Sequence, residues 1–423
     1  MKLEKILAVR FLYQEESNTT RRKKRLRPVV RISTIGIGLG VMLILLSLFI
    51  VHGFKQEIQS KINGFSGTVR ISNPDNVFNQ YYLPLSISDE LLSQISVASS
   101  DIDPKALVNT FIDEMSLIRV DSAYKAVLMH GLDANYDAFF FQSYLKEGRL
   151  PNFSGEVTDE VMISKKIADH LNIKCGDTFV SSFLLDNRMK VRKFTVVGLF
   201  ETGFDDYDGN ISIVDQRVLR QVKDWSDDEV SGITITLSKT DASGEVYDKL
   251  YPVLADRNIA NKSERYAMFT VEELNYSIFG WLNLLDANVL LILGLMIAVA
   301  GMTIITGVVV LILEKVRAIA TLKALGQRNS SLRKVFILMA STILFKGIIW
   351  GNALALSIAF IQKYWQPITL DPSQYYMTHV PIVIDVKVLL LINILVFLLV
   401  FLFILIPTSI ISNIKPSKSL RFE

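Results

Sequence analysis

The side chains that most often carry catalytic or metal chemistry are few in this chain and widely spaced. Of its 423 residues, one is a cysteine, Cys175, and four are histidines, none of them in an HExxH or similar ligand spacing. A single thiol allows neither an intramolecular disulfide nor a multi-thiolate metal cluster. We therefore predict no catalytic residue and no metal site in this chain.

The usual motif for nucleotide chemistry is missing as well. No Gly-Lys dipeptide occurs, so the sequence has no Walker A loop. If ATP drives this protein, a separate chain must hydrolyse it. The segment 53–286 also has no GxSxG motif and no spacing that pairs a nucleophile with a base. We therefore predict that the chain is not an enzyme.

Apolar residues are concentrated in four long runs. Half of the chain is hydrophobic and 21% is charged, and the 27 residues Ala287–Leu313 contain no charge. A run of 18 or more apolar residues is typical of a transmembrane helix. We predict such helices at 32–52, 287–313, 335–361 and 388–411. The first run is too long for a signal peptide and has no A-x-A cleavage pattern, so we expect it to be permanent.

Charge is distributed unequally between the segments that join these helices. Residues 1–31 hold ten Lys and Arg and the loop 314–334 holds six, whereas 53–286 holds 23 against 35 Asp and Glu. Loops rich in Lys and Arg stay in the cytoplasm. We therefore expect both termini, including the tail 412–423, to be cytoplasmic. The segment 53–286 and the short loop 362–387 lie on the other side.

The N-terminal segment predicts contact with lipid. Apolar residues recur there at helical spacing, and they are Leu3, Ile6, Leu7, Phe11 and Leu12. This pattern predicts a basic amphipathic helix on the inner leaflet. The run Arg21–Arg25 stands next to a transmembrane helix, so we assign it to anionic membrane lipids and expect no nucleic-acid partner.

The segment 53–286 is large enough for a core of its own. We predict a membrane protein with four transmembrane helices and a large extracytoplasmic α+β domain, in two lobes, inserted between helices 1 and 2. The predicted strands are Thr68–Ser72, Ala126–His130, Glu160–Ser164, Thr178–Leu184, Lys190–Phe200, Asn210–Val214 and Gly232–Ser238. The predicted helices are Lys165–Asn172, Gln216–Val222, Gly244–Ala255 and Val271–Leu285, and the predicted loops include Ser96–Asp103 and Asp205–Asp208.

The cytoplasmic loop 314–334 has the pattern of a short helix. Apolar residues from Val316 to Leu322 have helical spacing, and Gly326 is a natural helix end. A membrane protein without its own ATPase needs such a protruding helix if an external motor moves it. A simple connecting loop is the alternative.

Several motifs, in order along nearly the whole chain, resemble one protein family. The segment from Glu314 to Gly326 resembles the ExxRxIGxLKALGA coupling helix of the MacB/FtsX-like ABC permease superfamily, with Ala318 and Ala320 as departures. Further motifs resemble the lipoprotein-releasing (LolC/LolE) type, and they are Gly53–Lys55 with Ile62–Phe65, His170–Asp177, Phe194–Asp208, Leu370–Pro381 and Ile414–Arg421.

The resemblance implies a function for the whole chain. It implies a multi-pass permease subunit in a bacterial inner membrane, in a complex with two ATPase subunits and a second permease subunit, either identical or homologous. The complex would extract lipoproteins from the membrane and release them to a periplasmic carrier. The chain itself would bind no cofactor, since ATP and Mg would be held by the ATPase. MacB-like efflux and FtsX-like mechanotransmission are the alternatives.

The resemblance also implies three sets of site residues. The ATPase-coupling residues would be Glu314, Arg317, Ile319, Leu322, Lys323, Ala324, Leu325 and Gly326. A lipoprotein cavity between helices 1 and 2 would be lined by Val41, Met42, Leu45, Phe49, Leu295, Met296 and Val299. A hairpin turn at Leu185, Asp186, Asn187 and Arg188 would dock the carrier, although it is shorter than the docking hairpin of the family.

Overall fold

The computed structural model describes residues 2–15, 24–26, 28–78, 82–136, 139–185, 187–238, 242–260 and 265–413. The chain divides into two compact units. The first, the membrane unit, consists of Met1–Lys55, Trp281–Ile368 and Val380–Glu423. The second, the sheet unit, consists of Gln56–Gly280 and Thr369–His379. The motif Ile414–Arg421 and most of the basic run Arg21–Arg25 lie outside the described residues.

The elements follow one another in chain order. They are α1 (Lys2–Leu12), β1 (Tyr13–Glu15), β2 (Lys24–Leu26), α2 (Pro28–Ser66), β3 (Val69–Ser72), α3 (Pro74–Phe78), β4 (Leu85–Ser86), α4 (Asp89–Ile102), β5 (Leu107–Val120), β6 (Ala123–Leu132), α5 (Phe139–Tyr144), β7 (Leu145–Gly148), β8 (Glu160–Ser164), α6 (Lys165–Leu171), β9 (Thr178–Leu185), β10 (Arg188–Phe200), α7 (Asp205–Asp208), β11 (Ile211–Asp215), α8 (Gln216–Lys223), β12 (Glu229–Val230), β13 (Gly232–Thr236), α9 (Ser243–Ala260), β14 (Ala267–Thr270), α10 (Val271–Leu274), α11 (Tyr276–Glu314), α12 (Val316–Ala324), α13 (Asn329–Trp365), α14 (Pro372–Tyr375) and α15 (Val386–Thr408), followed by a 3-10 turn at Ser409–Asn413.

Within the described residues, four helices are long and apolar enough to cross a membrane, and they are α2, α11, α13 and α15. The helices α2, α11 and α13 each contain one predicted span, whereas α15 ends at Thr408 and the last residues of the predicted span 388–411 lie in the 3-10 turn Ser409–Asn413. The helix α2 begins at Pro28, where a proline is favoured because the first helical N–H has no intrahelical partner. The chain is therefore a membrane protein with four transmembrane helices.

Glycines allow α2 to pack closely on two other helices of the membrane unit. A Cβ on Gly36 would lie 3.2 Å from Thr303 of α11, and one on Gly351 of α13 would lie 2.6 Å from the carbonyl oxygen of Gly38. Helices in lipid associate through close contacts of this kind between small residues. The two GxxxG patterns of the sequence, at 36–40 and 347–351, therefore serve helix packing.

In the described part of the sheet unit, ten strands form a mixed sheet, and β4 pairs separately with β12. The order of the mixed sheet is β14-β3-β13-β5-β6-β11-β8-β10-β7, and β9 pairs with both β10 and β5. The strands β5, β6, β11, β8, β10 and β9 therefore form a closed ring, and β13, β3 and β14 extend from β5. The long strand β5 belongs to both parts, since Leu107–Phe111 pairs with β13 and Ser116–Arg119 pairs with β9.

Helices cover the core of this sheet. Buried apolar residues of α4, α6, α8 and α9 join the strands in one core, among them Leu91, Ile167, Val218 and Val246. The predicted α+β class and all seven predicted strands are confirmed, with ends that differ by up to three residues. The long strand β5 was not predicted.

Three local predictions were wrong. The predicted loop Ser96–Asp103 continues the helix α4 to Ile102, because Leu91, Ile95 and Ser99 are buried four residues apart on one face. The predicted loop Asp205–Asp208 is the helical turn α7. The predicted helix Val271–Leu285 is interrupted at Asn275, where α10 ends after a Thr270–Glu273 capping box.

Candidate functional site

The short helix α12 has one buried and one exposed face. Ile319 and Ala320 are fully buried in the membrane unit, and Leu322 packs against the same core. Glu314, Arg317 and Ala324 are exposed. The predicted helix in the loop 314–334 is therefore confirmed, and its buried residues fix it to the membrane unit.

The C-terminal end of α12 is its most exposed part. Leu325 is 79% exposed, and Gly326 has a φ of +89°, which an L-residue with a side chain rarely adopts. The N–H of Gly326 donates to the carbonyl of Lys323 and that of Gln327 donates to Leu322, both at 3.0 Å. These bonds satisfy carbonyls that would otherwise be unpaired at the end of the helix. The chain therefore presents Ala324, Leu325 and Gly326 as an exposed tip.

Lys323 has a contact that the sequence did not indicate. Its Nζ donates to the carbonyl of Ile411 at 2.7 Å and to that of Ser412 at 3.4 Å. A cation that binds the last carbonyls of a helical segment compensates for their partial negative charge. Arg333 of α13 also contacts this end, at 2.5 Å from Ser412 Oγ. Lys323 thus ties α12 to the end of the fourth transmembrane segment.

The N-terminal helix α1 packs beside this region. The rings of Phe11 and Phe336 of α13 lie 6.4 Å apart, and Lys315 Nζ lies 5.2 Å from the ring of Phe11. Ser331 Oγ donates to the carboxylate of Glu4 at 3.0 Å. The predicted amphipathic helix is present, and part of its apolar face, including Phe11, contacts protein, whereas Ile6 is exposed.

The predicted cavity residues fall into two groups. Val41, Leu45 and Phe49 of α2 are buried between the helices of the membrane unit, and Met42 is half-buried. Leu295 and Val299 of α11 are exposed, and Met296 is half-buried. Within this chain, the α2 residues of the set therefore face other helices, whereas Leu295 and Val299 of α11 face outward, and the shared cavity stays a prediction.

The predicted carrier-docking turn closes the hairpin of β9 and β10. Leu185 and Arg188 are paired, and Asn187 has a φ of +62°. Asp186 lies outside the described residues. Just behind the turn, the paired residues Leu184 and Met189 are each more than two-thirds exposed. The hairpin is short, as the sequence predicted, and carries an apolar surface.

A polar network in the sheet unit was missed by the sequence analysis. Lys61 is buried, and its Nζ donates to the carbonyl of Tyr376 at 2.9 Å. The ring of Tyr376 stacks on Phe204 at 4.7 Å. The segment Thr369–His379, which follows α13, is thereby held within the sheet unit.

Asp208 organises the loop on which Phe204 lies. Its carboxylate accepts hydrogen bonds from the hydroxyl of Thr202 at 2.7 Å and from the N–H of Gly203 at 2.8 Å. Burial raises the pKa of Asp208, and these hydrogen bonds together with the charge of Lys61 act against that rise. The sequence offered only motif resemblance at these residues, and nothing in their spacing indicated that they meet.

Comparison with known proteins agrees with this architecture. A family model described as the MacB-like periplasmic core domain matches residues 32–251, and one described as the FtsX-like permease C-terminal matches residues 290–416. The chain is 23% identical over 409 residues to the lipoprotein-releasing system transmembrane protein LolC of Xylella fastidiosa, with 92% of this chain and 93% of the relative covered.

A second curated relative and a solved structure are also similar. The LolC protein of Neisseria meningitidis serogroup B is 22% identical over 416 residues, which cover 93% of this chain and 94% of the relative. The extracellular domain of the noncanonic ABC-type transporter YknZ from Gram-positive bacteria matches 48% of this chain and 99% of its own, with 14% identity and a TM-score of 0.32.

Proposed function

The chain belongs to the MacB/FtsX-like permease superfamily and is a multi-pass inner-membrane permease subunit of an ABC transporter, and we propose that it releases lipoproteins. In this proposal, ATP hydrolysis on two separate ATPase subunits extracts lipoproteins from the inner membrane and passes them to a periplasmic carrier. A second permease subunit, identical or homologous, completes the complex. ATP and Mg are held by the ATPase, and the termini and α12 are cytoplasmic.

The observation that carries the proposal is the exposed tip of a firmly anchored helix. Buried Ile319 and the bond from Lys323 to Ile411 fix α12 to the membrane unit, while Leu325 extends into solvent. Movement of a protein bound at this tip would therefore reach α11, α13 and α15 together. Similarity to LolC proteins along almost the full length of the chain supports lipoprotein as the cargo.

Energetics explain why such a cargo needs ATP. Each buried CH₂ of an acyl chain stabilises the membrane-bound lipoprotein by about 0.8 kcal/mol. Three acyl chains make spontaneous departure negligible. The cargo can leave only if the permease couples an external source of work to its extraction.

Replacing Ala324 by Trp tests the role of the tip. Ala324 is exposed, so a bulky side chain there leaves the core of the membrane unit intact but obstructs a partner. We expect Ala324→Trp to abolish co-purification with the ATPase, or to abolish ATP-dependent release of a triacylated lipoprotein from proteoliposomes. Expression should stay normal. Glu314→Lys should give a milder loss.

A matched control separates obstruction from general damage. Lys334 is exposed on α13, outside α12, so Lys334→Trp should retain ATPase binding and release. If Ala324→Trp binds the ATPase and releases lipoprotein normally, the loop 314–334 is only a connection.

MacB-like efflux or FtsX-like mechanotransmission is the second candidate function. The short β9–β10 hairpin favours this second candidate, because a two-residue turn offers only a small binding surface to a carrier. In that case the reconstituted complex would hydrolyse ATP, and its rate would depend on Ala324, but no lipoprotein would leave the proteoliposomes.

A further inference from the structure

An apolar groove runs between α2 and α13 on the surface of the membrane unit. Its volume is about 360 Å³, and its walls are formed by Ile35, Leu39, Trp350 and Leu354. Trp350 is 63% exposed and Ile35 is 61% exposed. None of the seven predicted lipoprotein-cavity residues lines it.

The groove exists because the two helices touch at glycine. Gly38 forms its floor, and a Cβ there would lie 3.3 Å from the carbonyl oxygen of Gly347. The larger side chains of Ile35, Leu39 and Trp350 stand on either side of this contact. The result is a concave surface that accepts a slender apolar chain.

A single cation borders the groove at one end. Arg31 is exposed, and within the part of the chain that the structure describes its guanidinium has no hydrogen-bond or ion-pair partner. The other polar wall residue, Thr34, already donates its hydroxyl to the carbonyl of Val30 at 2.7 Å. A ligand that fits is therefore apolar along most of its length and anionic at one end.

The length of the groove corresponds to one leaflet. From Arg31 to Leu39 the helix α2 rises by about 12 Å, and half of the hydrocarbon core measures about 15 Å. In the proposed orientation, on which this step rests, Arg31 lies at the cytoplasmic surface. We propose that the groove binds an anionic phospholipid of the inner leaflet, with one acyl chain between α2 and α13 and the phosphate on Arg31.

Charge and position both favour phospholipid over cargo. The guanidinium group forms paired hydrogen bonds with phosphate, and basic sites between helices on the cytoplasmic side suit anionic headgroups. A lipoprotein bears its protein part on the outer side of the membrane, so its acyl chains occupy the outer leaflet. The groove therefore holds a lipid that stays with the permease during transport.

Quenching of Trp350 fluorescence by brominated lipid tests this proposal. The full chain is reconstituted into phosphatidylcholine vesicles that contain the same fraction of either brominated phosphatidylglycerol or brominated phosphatidylcholine. A Trp350→Phe variant measures the quenching of the other three tryptophans, which is subtracted. We expect phosphatidylglycerol to occupy the groove about fivefold more strongly, as one basic contact allows.

Variants at Arg31 and an added competitor decide the outcome. Arg31→Gln should remove the preference for phosphatidylglycerol, whereas Arg31→Lys should keep most of it, and Lys363→Gln, at the other end of α13, should not alter it. Equal quenching by both lipids in the wild type, or an unchanged preference in Arg31→Gln, would overturn the proposal. So would displacement of brominated phosphatidylglycerol by an uncharged triacylated lipopeptide, which would make the groove a cargo site. ATPase binding through Ala324 is measured separately, so either proposal can fail alone.

Discussion

Asp113 is a buried carboxylate on β5 that contacts basic side chains from two other strands. Arg70 of β3 donates to its Oδ2 at 2.6 Å, and Nδ1 of His130 on β6 lies 2.5 Å from its Oδ1. Burial alone would raise the pKa of Asp113, but the charges of His130 and Arg70 and their hydrogen bonds outweigh it and lower the pKa to about 2. The network joins the ring of strands to the extension formed by β13, β3 and β14.

The lowered pKa predicts how acid affects the sheet unit. Because the folded-state pKa is lower than the unfolded one, the stabilisation is fully present above about pH 4 and is lost as the pH falls toward 2. Asp113→Asn should cost about 3 kcal/mol at neutral pH, since it leaves Arg70 partly unpaired in the interior. Its unfolding temperature should also fall less than that of the wild type between pH 4 and 2.

Thermal unfolding of the full chain in detergent, followed by circular dichroism, measures both effects. Asp227→Asn, at a fully exposed side chain, is the control and should match the wild type. An Asp113→Asn protein as stable as the wild type would show that the network contributes nothing to folding.

At the scale of elements, α2 and α13 pack closely because the residues at their contact are glycines, which have no side chain. A Cβ on Gly351 would approach both the carbonyl oxygen of Gly38 and the Cβ of Val41 to within 2.7 Å. Neither atom can withdraw without moving a helix axis. The position of α13 beside α2, and with it the lipid groove, is therefore set by backbone contact.

Gly351→Val should accordingly push the two helices apart. We expect a lower unfolding temperature of the full chain and a weaker preference for brominated phosphatidylglycerol at Trp350. Gly294→Val is the matched control, because nothing lies within 4 Å of a Cβ at that position of α11. If both variants melt at the same temperature, the glycine contact does not determine the helix packing.

Most of the long helices and strands could be predicted from the sequence, because local patterns of residues determine them. Long apolar runs and strands such as Glu160–Ser164 are local patterns, and the structure confirms them. The strand β5 carries Asp113 and Glu114, whose burial is tolerable only because distant residues pair with them, and for Glu114 that residue is Lys223 of α8. Likewise, the meeting of Lys61 with Tyr376 joins residues 315 positions apart. Contacts of that kind have no local pattern to detect.

At the scale of the whole molecule, the chain leaves the sheet unit and returns to it. The segment Thr369–His379 is short and lies between α13 and α15, yet it belongs to the sheet unit. Together with α2 and α11, it gives the sheet unit covalent links to all four long helices. In the proposed mechanism, a movement that begins at α12 therefore reaches the sheet unit along several routes at once.

The orientation of the chain is tested by reporter fusions. The distribution of Lys and Arg predicts that the sheet unit lies outside the cytoplasm and α12 inside. A phosphatase fused after Ser243 should be active, and one fused after Ser330 should be inactive. A cytoplasmic reporter such as a fluorescent protein at the same two positions should give the opposite pattern. The reverse result would refute the topology and the proposed coupling through α12.

The pairing of Val69 with Thr270 has a consequence for the exchange of the inserted domain. The longer segment of the sheet unit enters the ten-stranded sheet through β3 and leaves it through β14, and Val69, the first residue of β3, is the register partner of Thr270, the last residue of β14. Partners in adjacent strands lie about 5 Å apart at their Cα atoms. The two ends of the inserted domain thus meet at one spot, as in domains that tolerate transplantation between hosts. Exchange of the roughly two hundred residues between them for the corresponding domain of another permease would leave the spacing of the two junctions unchanged, and the new domain would need a partner for Tyr376 in place of Phe204.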